Sequence, residues 1–389
     1  MTFQALRNIF FDEKVRSIVI QTLVLGVIAL GIYFLIQTTT YNLDKRGIDT
    51  GFEFLKNPAG YDISLTLIPY TAEDTHLKAY FVGLINTLTI AVTGCFLATI
   101  IGFTIGIIRL SSNWLFRNFA YAYVEATRNV PILLHIIFWY TVLLGLPKIK
   151  EAVMFLKYFF LSNRGIYSPA PVFQEGMGLV FTSIITSIIF AIFFNIWAKK
   201  KQETSGIQLP VFLINSGVMI FLPTMVFIFQ GMPILWDHPI LKGFNFKGGM
   251  VIRPEFIAML IGLGVYTGSY IAEIVRSGIV SVSKGQREAA LALGLKKNIV
   301  MKLVVVPQAL RVIIPPLTNQ YLNLTKNSSL GIAIGYADLV HGFGGISLNQ
   351  TGQAIEIMAM VMATYLTISL TISFFMNLYN KSVQFKGNT

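Results

Sequence analysis

Uninterrupted apolar stretches divide this chain more plainly than any motif does. Eight of them fall at about 18–36, 82–108, 119–146, 177–198, 208–229, 255–277, 303–325 and 354–379, each 18 residues or longer with few charges. A helix rises about 1.5 Å per residue, so each can cross a hydrocarbon core roughly 30 Å thick. Only a helix satisfies its own backbone polar groups over such a run in lipid. The pattern therefore predicts an all-α polytopic membrane protein with about eight transmembrane helices. The shorter apolar segment "EAVMFLKYFFL", 151–161, cannot span and is predicted to be a helix lying at the outer interface. Pro147, Pro169 and Pro171 mark the surrounding region as loop. At the start, Phe3, Leu6 and Phe10 recur at helical spacing, which fits either an interfacial amphipathic lead-in or a basic tail. The run that follows is too long for a signal-peptide core and has no A-x-A cleavage site, so a cleaved signal is not expected.

Composition agrees. Of 389 residues 54% are hydrophobic and 12% charged, with mean hydropathy +0.66; a soluble protein carries about 25% charged residues. The net charge of +12 does not point to nucleic acid, because its basic residues gather in short loops. Arg7, Lys14 and Arg16 precede the first span, Arg109 and Arg117 follow the second, and Lys199, Lys200 and Lys201 follow the fourth. Lys284, Arg287, Lys296, Lys297 and Lys302 lie between the sixth and seventh, and Lys381 and Lys386 follow the last. All five groups fall on one side of an eight-span chain. That side is predicted to be the cytoplasm, with both termini there. The single cysteine, Cys95, excludes a disulfide framework and has no metal-ligand companion. His76, His238 and His341 lack ligand spacing, and His135 is expected to be a hydrogen-bonded interior histidine, so no metal site is predicted.

Four features stand out against this apolar background. The first is "SKGQREAALALGL", 283–295, in a basic loop. Ser283 and Gln286 form a capping-box pattern, the alanines favour helix, and Gly294 stands where a left-handed cap is expected. This predicts a two- to three-turn cytoplasmic helix whose small residues let another surface approach its backbone. The second is a pair of Glu/Arg spacings, Glu125 with Arg128 and Glu273 with Arg276, each permitting an ion pair on one helical face. A structural or gating role is favoured over direct substrate contact, and Glu273 is kept as a path candidate. The third is "LTNQYLNLTKNSSLG" after Pro315 and Pro316. Asn319, Asn323 and Asn327 share one face with Lys326 beside them. They must line either a substrate path or a helix–helix interface, since lipid cannot face them. The fourth is a run of glycines, Gly331, Gly335, Gly342, Gly344 and Gly345, which predicts a broken outer segment that forms a re-entrant turn or gate.

"EAALALGLKKNIVMKLVVVPQAL" resembles the EAA loop of type I ABC importer permeases, with Glu288, Ala289, Ala290, Gly294 and Pro307 in the pattern. "NTLTIAVTGCFLATIIGFTIGIIRLSS", "YVEATRNVPILLHIIFWYTVLLGLP" and "YTGSYIAEIVRSGIVSVSKGQREAALALGL" are similar to core helices of polar amino-acid permeases. "VVVPQALRVIIPPLTNQYLNLTKNSSLGIAIGYADLV" is similar to general L-amino-acid permeases. The resemblance covers about three-fifths of the chain. It departs at Ser283, where many relatives have proline, and the segment 148–252 interrupts the usual core.

The resemblance implies a type I (MetI-like) core in which Glu288, Ala289, Ala290 and Gly294 belong to a coupling helix that docks on a cytoplasmic ABC ATPase dimer. It implies a second permease subunit, a distinct paralogue in the general branch, a periplasmic amino-acid-binding protein, and L-amino acids carried across a bacterial inner membrane. The chain has no G-x-x-x-x-G-K-[ST] loop. It therefore carries no cofactor of its own, and ATP and Mg belong to the partner ATPase. Four divisions follow: 1–81, with the lead-in, first span and outer loop; 82–147, the first part of the core; 148–252, an insertion with a spanning hairpin; and 253–389, the second part. Two other classes were weighed. An ion-gradient-driven secondary transporter leaves the cytoplasmic helix unexplained. A membrane-embedded enzyme lacks any nucleophile–base set, so no catalytic residue is predicted.

Overall fold

A computed structural model describes residues 13–45, 47 and 51–383. The N-terminal lead-in with Phe3, Leu6 and Phe10 lies outside them. Among the described residues, seven helices are long and apolar enough to cross a membrane, or eight when one bent pair counts as a single span. They are α1 (Glu13–Lys45), α2 (His76–Ile108), the pair α3 (Trp114–Arg128) and α4 (Ile132–Leu144), α5 (Met177–Ser205), α6 (Val211–Phe229) and α7 (Pro254–Val280). After a short helix, α8 (Lys284–Ala292), come α9 (Val306–Asn327) and α10 (Ala354–Val383). The expected span 119–146 is thus broken. Asn129 caps α3 and Pro131 precedes α4; a proline disfavours helical backbone in the residue before it. The expected span 303–325 is longer than its apolar run, with helical turns continuing from Lys297 to Ile334. Pro315 and Pro316 sit inside α9 without ending it.

The chain forms two compact units, Met1–Pro131 with Leu263–Thr389, and Ile132–Gly262. The first is built on α2, which packs on α7, α9 and the segment after α9. Close approach comes from two G-x-x-x-G pairs, Gly102 with Gly106 on α2 and Gly264 with Gly268 on α7. A Cβ on Gly106 would lie 2.7 Å from the Ala272 carbonyl oxygen, and one on Gly268 2.9 Å from the Ile101 side chain. Small residues let backbones meet where hydrophobic force between helices is absent. The apolar face of α1 is exposed throughout its span, with none of the other described residues covering it.

The second unit contains α5 and α6, joined as a hairpin, and an irregular β layer. The predicted interfacial helix at 151–161 is instead a β-hairpin: β1 (Val153–Leu156) pairs antiparallel with β2 (Phe159–Ser162). β2 continues to β3 (Gly165–Ser168) and then β8 (Met250–Ile252), in the order β1-β2-β3-β8. Aromatic and β-branched residues favour the pleat, and the β1–β2 hairpin with its pairing to β3 satisfies the backbone of a segment expected to be helical. Two ribbons complete the layer, β4 (Ala170–Phe173) with β5 (Ile234–Asp237), and β6 (Ile240–Lys242) with β7 (Asn245–Lys247). Phe246 packs against Phe160 and Tyr167 with tilted rings, centroids at 4.7 and 4.6 Å.

Candidate functional site

Helix α8 occupies the stretch singled out in the sequence. Ser283 is its N-cap, yet the serine side chain makes no cap hydrogen bond, so the predicted capping box does not form. The Gln286 N–H donates to the Ser283 carbonyl at 3.2 Å instead. The start of α8 is fixed from its other side, where Arg287 Nη2 donates to the Ile279 carbonyl in the last turn of α7, at 2.7 Å. That carbonyl has no partner within its own helix, so the arginine both satisfies it and ties α8 to α7. At the far end Gly294 has φ +78°, the left-handed cap expected of it, and its N–H donates to the Leu291 carbonyl at 2.9 Å. Ala290 is buried, whereas Glu288, Ala289 and Gly294 are exposed. Leu291 and Leu293 are also exposed, Leu293 at 81%. The free side of α8 therefore shows small residues, two leucines and one carboxylate, flanked by exposed Lys284, Lys296 and Lys297.

A charged knot lies near the C-terminal end of α7, at Glu273 and Arg276. Glu273 accepts from Arg276 Nη2 at 2.5 Å and from Arg276 Nε at 3.2 Å. Its other oxygen pairs with Arg109, the C-cap of α2. The Arg109 side chain is only 8% exposed, and its guanidinium lies 5.5 Å from the ring centre of Tyr121 on α3. One carboxylate thus joins α2 and α7, and Arg109 extends the link to α3. Sequence reading placed Arg109 in a loop and missed it as the partner of Glu273; no local spacing connects residues 164 positions apart. Glu125 and Arg128 behave differently. Among the described residues no ion pair joins them, and Arg128 lies over the ring of Tyr270 at 4.9 Å.

On α9 the buried positions Ile313, Leu317 and Leu324 face the unit's interior. The opposite stripe, Val312, Pro315, Asn319, Asn323 and Lys326, is exposed along the helix, with Asn327 half-buried beside it. The three asparagines and the lysine do share one accessible face. The prolines of this helix have no N–H, so the carbonyls of Arg311 and Val312 lose their usual donors. Glu273 is not on this face; its oxygens are taken by the two arginines.

The glycine-rich segment after α9 is tightly held. It forms a 3-10 turn, Ser328–Ile334, a left-handed Gly335 and a π turn, Gly342–Ser347. Asn86 Nδ2 donates to the carbonyls of Leu65 and Ala337, both at 2.8 Å, and the Tyr336 hydroxyl donates to the Asn86 carbonyl at 2.8 Å. Ser347 Oγ is 2.8 Å from both the Tyr61 hydroxyl and His76 Nδ1. Asp338 is fully buried and accepts from the His341 N–H at 2.8 Å and from the Tyr365 hydroxyl at 3.2 Å. Burial pushes its carboxyl up to about 7, against those donors, which favour the charged form. Cys95 lines an apolar groove of about 850 Å³ among α2, α9 and α10. His135 is half-buried. Among the described residues no group of three or more His, Cys, Asp or Glu is placed to hold a metal ion.

Comparison with known proteins adds to this geometry. The family model described as "Binding-protein-dependent transport system inner membrane component" matches residues 209–385, which take in α6 to α10 and the coupling-loop candidate. The general L-amino acid transport system permease protein AapQ of Rhizobium johnstonii is 46% identical over 96% of this chain and 94% of its own. The glutamate/glutamine/aspartate/asparagine transport system permease protein BztB of Rhodobacter capsulatus is 43% identical over 98% of this chain and 96% of its own.

Proposed function

The chain belongs to the family of binding-protein-dependent transport system inner membrane components, and from that premise we propose that it is the membrane-spanning permease subunit of an ATP-driven ABC importer for L-amino acids, acidic and polar ones included. The observation that carries the reading is α8, a glycine-ended helix fastened to α7 on one side, whose other, small-residue side is exposed among the described residues. The chain is a transport component and not an enzyme. Its family works with an ATPase and a substrate-binding protein. The lack of a P-loop sequence in this chain supports the reading that ATP and Mg are held by a separate ATPase. The second permease is a paralogue, and both termini of this one are cytoplasmic.

Alternating access follows from the connections described. A loaded binding protein docks on the outer face. ATP closes the ATPase dimer, which draws the α8 helices of the two permeases together. Arg287 passes the displacement of α8 to the end of α7. Glu273, held by Arg276 and Arg109, passes it to α2. The polar stripe of α9, which lipid cannot solvate, then faces the path between the permeases, where Asn319, Asn323, Asn327 and Lys326 offer amides and a cation to a zwitterion. Hydrolysis resets the assembly.

The experiment is co-purification with the partner subunits, reconstitution in proteoliposomes, and uptake of an amino-acid panel. The expected result is uptake that requires both ATP and the binding protein. Uptake driven by a sodium or proton gradient without ATP overturns the reading.

A further inference from the structure

The second unit carries a pocket of about 590 Å³ that the transport cycle does not use. Small-molecule sites commonly enclose about 300–1,000 Å³. Arg164 reaches it from the β2–β3 turn, Tyr167 from β3 and Asn245 from β7, while Arg253 and Glu255 enter at the start of α7, with Asn163 beside them. The two guanidinium groups and one carboxylate share the pocket without neutralising each other. Among the described residues none of Arg164, Arg253 and Glu255 forms an ion pair. Glu255 Oε1 takes a long hydrogen bond from the Tyr140 hydroxyl, 3.4 Å, while Oε2 is buried without a hydrogen-bond partner. A buried carboxylate oxygen left without a donor is costly, and folded proteins rarely tolerate one. Asn245 uses its Oδ1 to accept from the Tyr167 hydroxyl at 3.3 Å and from the Phe246 N–H at 3.0 Å, which turns its remaining capacity to donors.

We propose that this pocket binds an acidic α-amino acid, with its ammonium on Glu255 and its two carboxylates on Arg164 and Arg253. The pocket lacks donors at one carboxylate oxygen and acceptors at two guanidinium forks, and a dicarboxylic amino acid supplies both. Charge balances as well, since two arginines against one glutamate leave the opposite sign to that of such a ligand. Guanidinium holds carboxylate in a bidentate fork, which sets orientation as well as affinity. The assignment rests on the amino-acid importer reading and on the expected outer placement of the loops near 147–176 and 230–254. It gives the insertion 148–252 a task, to hold acidic substrate on the outer side of the membrane independently of the binding protein.

The test uses the assembled permease–ATPase complex in nanodiscs without the binding protein, with radiolabelled L-glutamate as probe. Saturable binding is expected, at least tenfold weaker in Arg164→Gln, Arg253→Gln and Glu255→Gln. Glutarate, which has no ammonium, should compete at least tenfold more weakly than L-glutamate. Glu255→Gln is isosteric and keeps an acceptor for Tyr140, so a loss there reads the ammonium contact and not the fold. No saturable binding by the wild-type complex, unchanged binding in the three variants, or equal competition by glutarate overturns the site. ATP-driven uptake by the complete assembly is measured on the same preparations. Failure of the pocket with uptake intact removes this inference alone, whereas absence of uptake removes the importer reading beneath it.

Discussion

Single residues carry the sharpest consequences. Gly294 adopts φ +78° at the negative end of α8. Gly294→Asp places a side chain in a left-handed conformation, costing about 1 kcal/mol, and adds a like charge to the helix terminus. The expected outcome is an assembled complex that still hydrolyses ATP but loses at least tenfold in uptake; unchanged uptake argues against the coupling role. Glu288→Lys, on the same exposed helix, is expected to uncouple likewise. Asp338 makes a prediction in pH. Its carboxyl sits at about 7 in the folded protein, above its ordinary 3.8, because it is buried. The folded state therefore binds the proton more tightly than the unfolded chain does, so stability declines as pH rises from about 4 to 7 and then levels. Asp338→Asn should raise Tm at about pH 8, with the gain vanishing near pH 4. An equal Tm shift at both pH values contradicts this account. Gly294 was legible in the sequence because a cap leaves a local signature. Asp338 was not, because its burial depends on Tyr365 and on the packing of the segment around it.

At the scale of elements, helix spacing succeeded where the partner was local or solvent and failed where it was distant. The exposed polar stripe of α9 was visible as a four-residue recurrence, since a helix face is a property of one segment. The Glu125–Arg128 spacing was equally regular, yet Arg128 turned to Tyr270 on another helix. The segment 151–161 shows the same limit, because short apolar runs fit either a helix or a strand, and pairing with β3 decides. The α2–α7 contact is testable. Gly106→Leu drives a side chain into the Ala272 carbonyl, and overpacking of this kind costs about 1–3 kcal/mol. A lower Tm in detergent and reduced assembly are expected, while a Tm equal to wild type shows that the helices can separate without cost. Asn323→Cys, made with Cys95→Ser, tests the stripe. Modification by a membrane-impermeant thiol reagent that changes with ATP is expected of a path, and none of a lipid-facing or sealed position.

For the whole molecule, the apolar face of α1 and the polar face of α9 cannot both be content in one solvent. The first suits lipid and the second requires water or protein. This chain alone is thus expected to be less stable than the assembly, and co-expression with the second permease should raise its Tm and its yield in membranes. Equal values with and without the partner contradict the placement of the α9 stripe between permeases. The sequence by itself determined the spanning segments and the glycine-ended helix between α7 and α9. Each of these is set by hydropathy, local propensity or a motif within a few dozen residues. Only the tertiary structure decided that Arg109 holds Glu273, that the parts of the insertion flanking α5 and α6 are β-structured, and that one Glu255 oxygen is left without a donor in a pocket lined by two arginines. Those outcomes depend on which groups meet across the chain once water is excluded, and that pairing leaves no periodic trace in sequence.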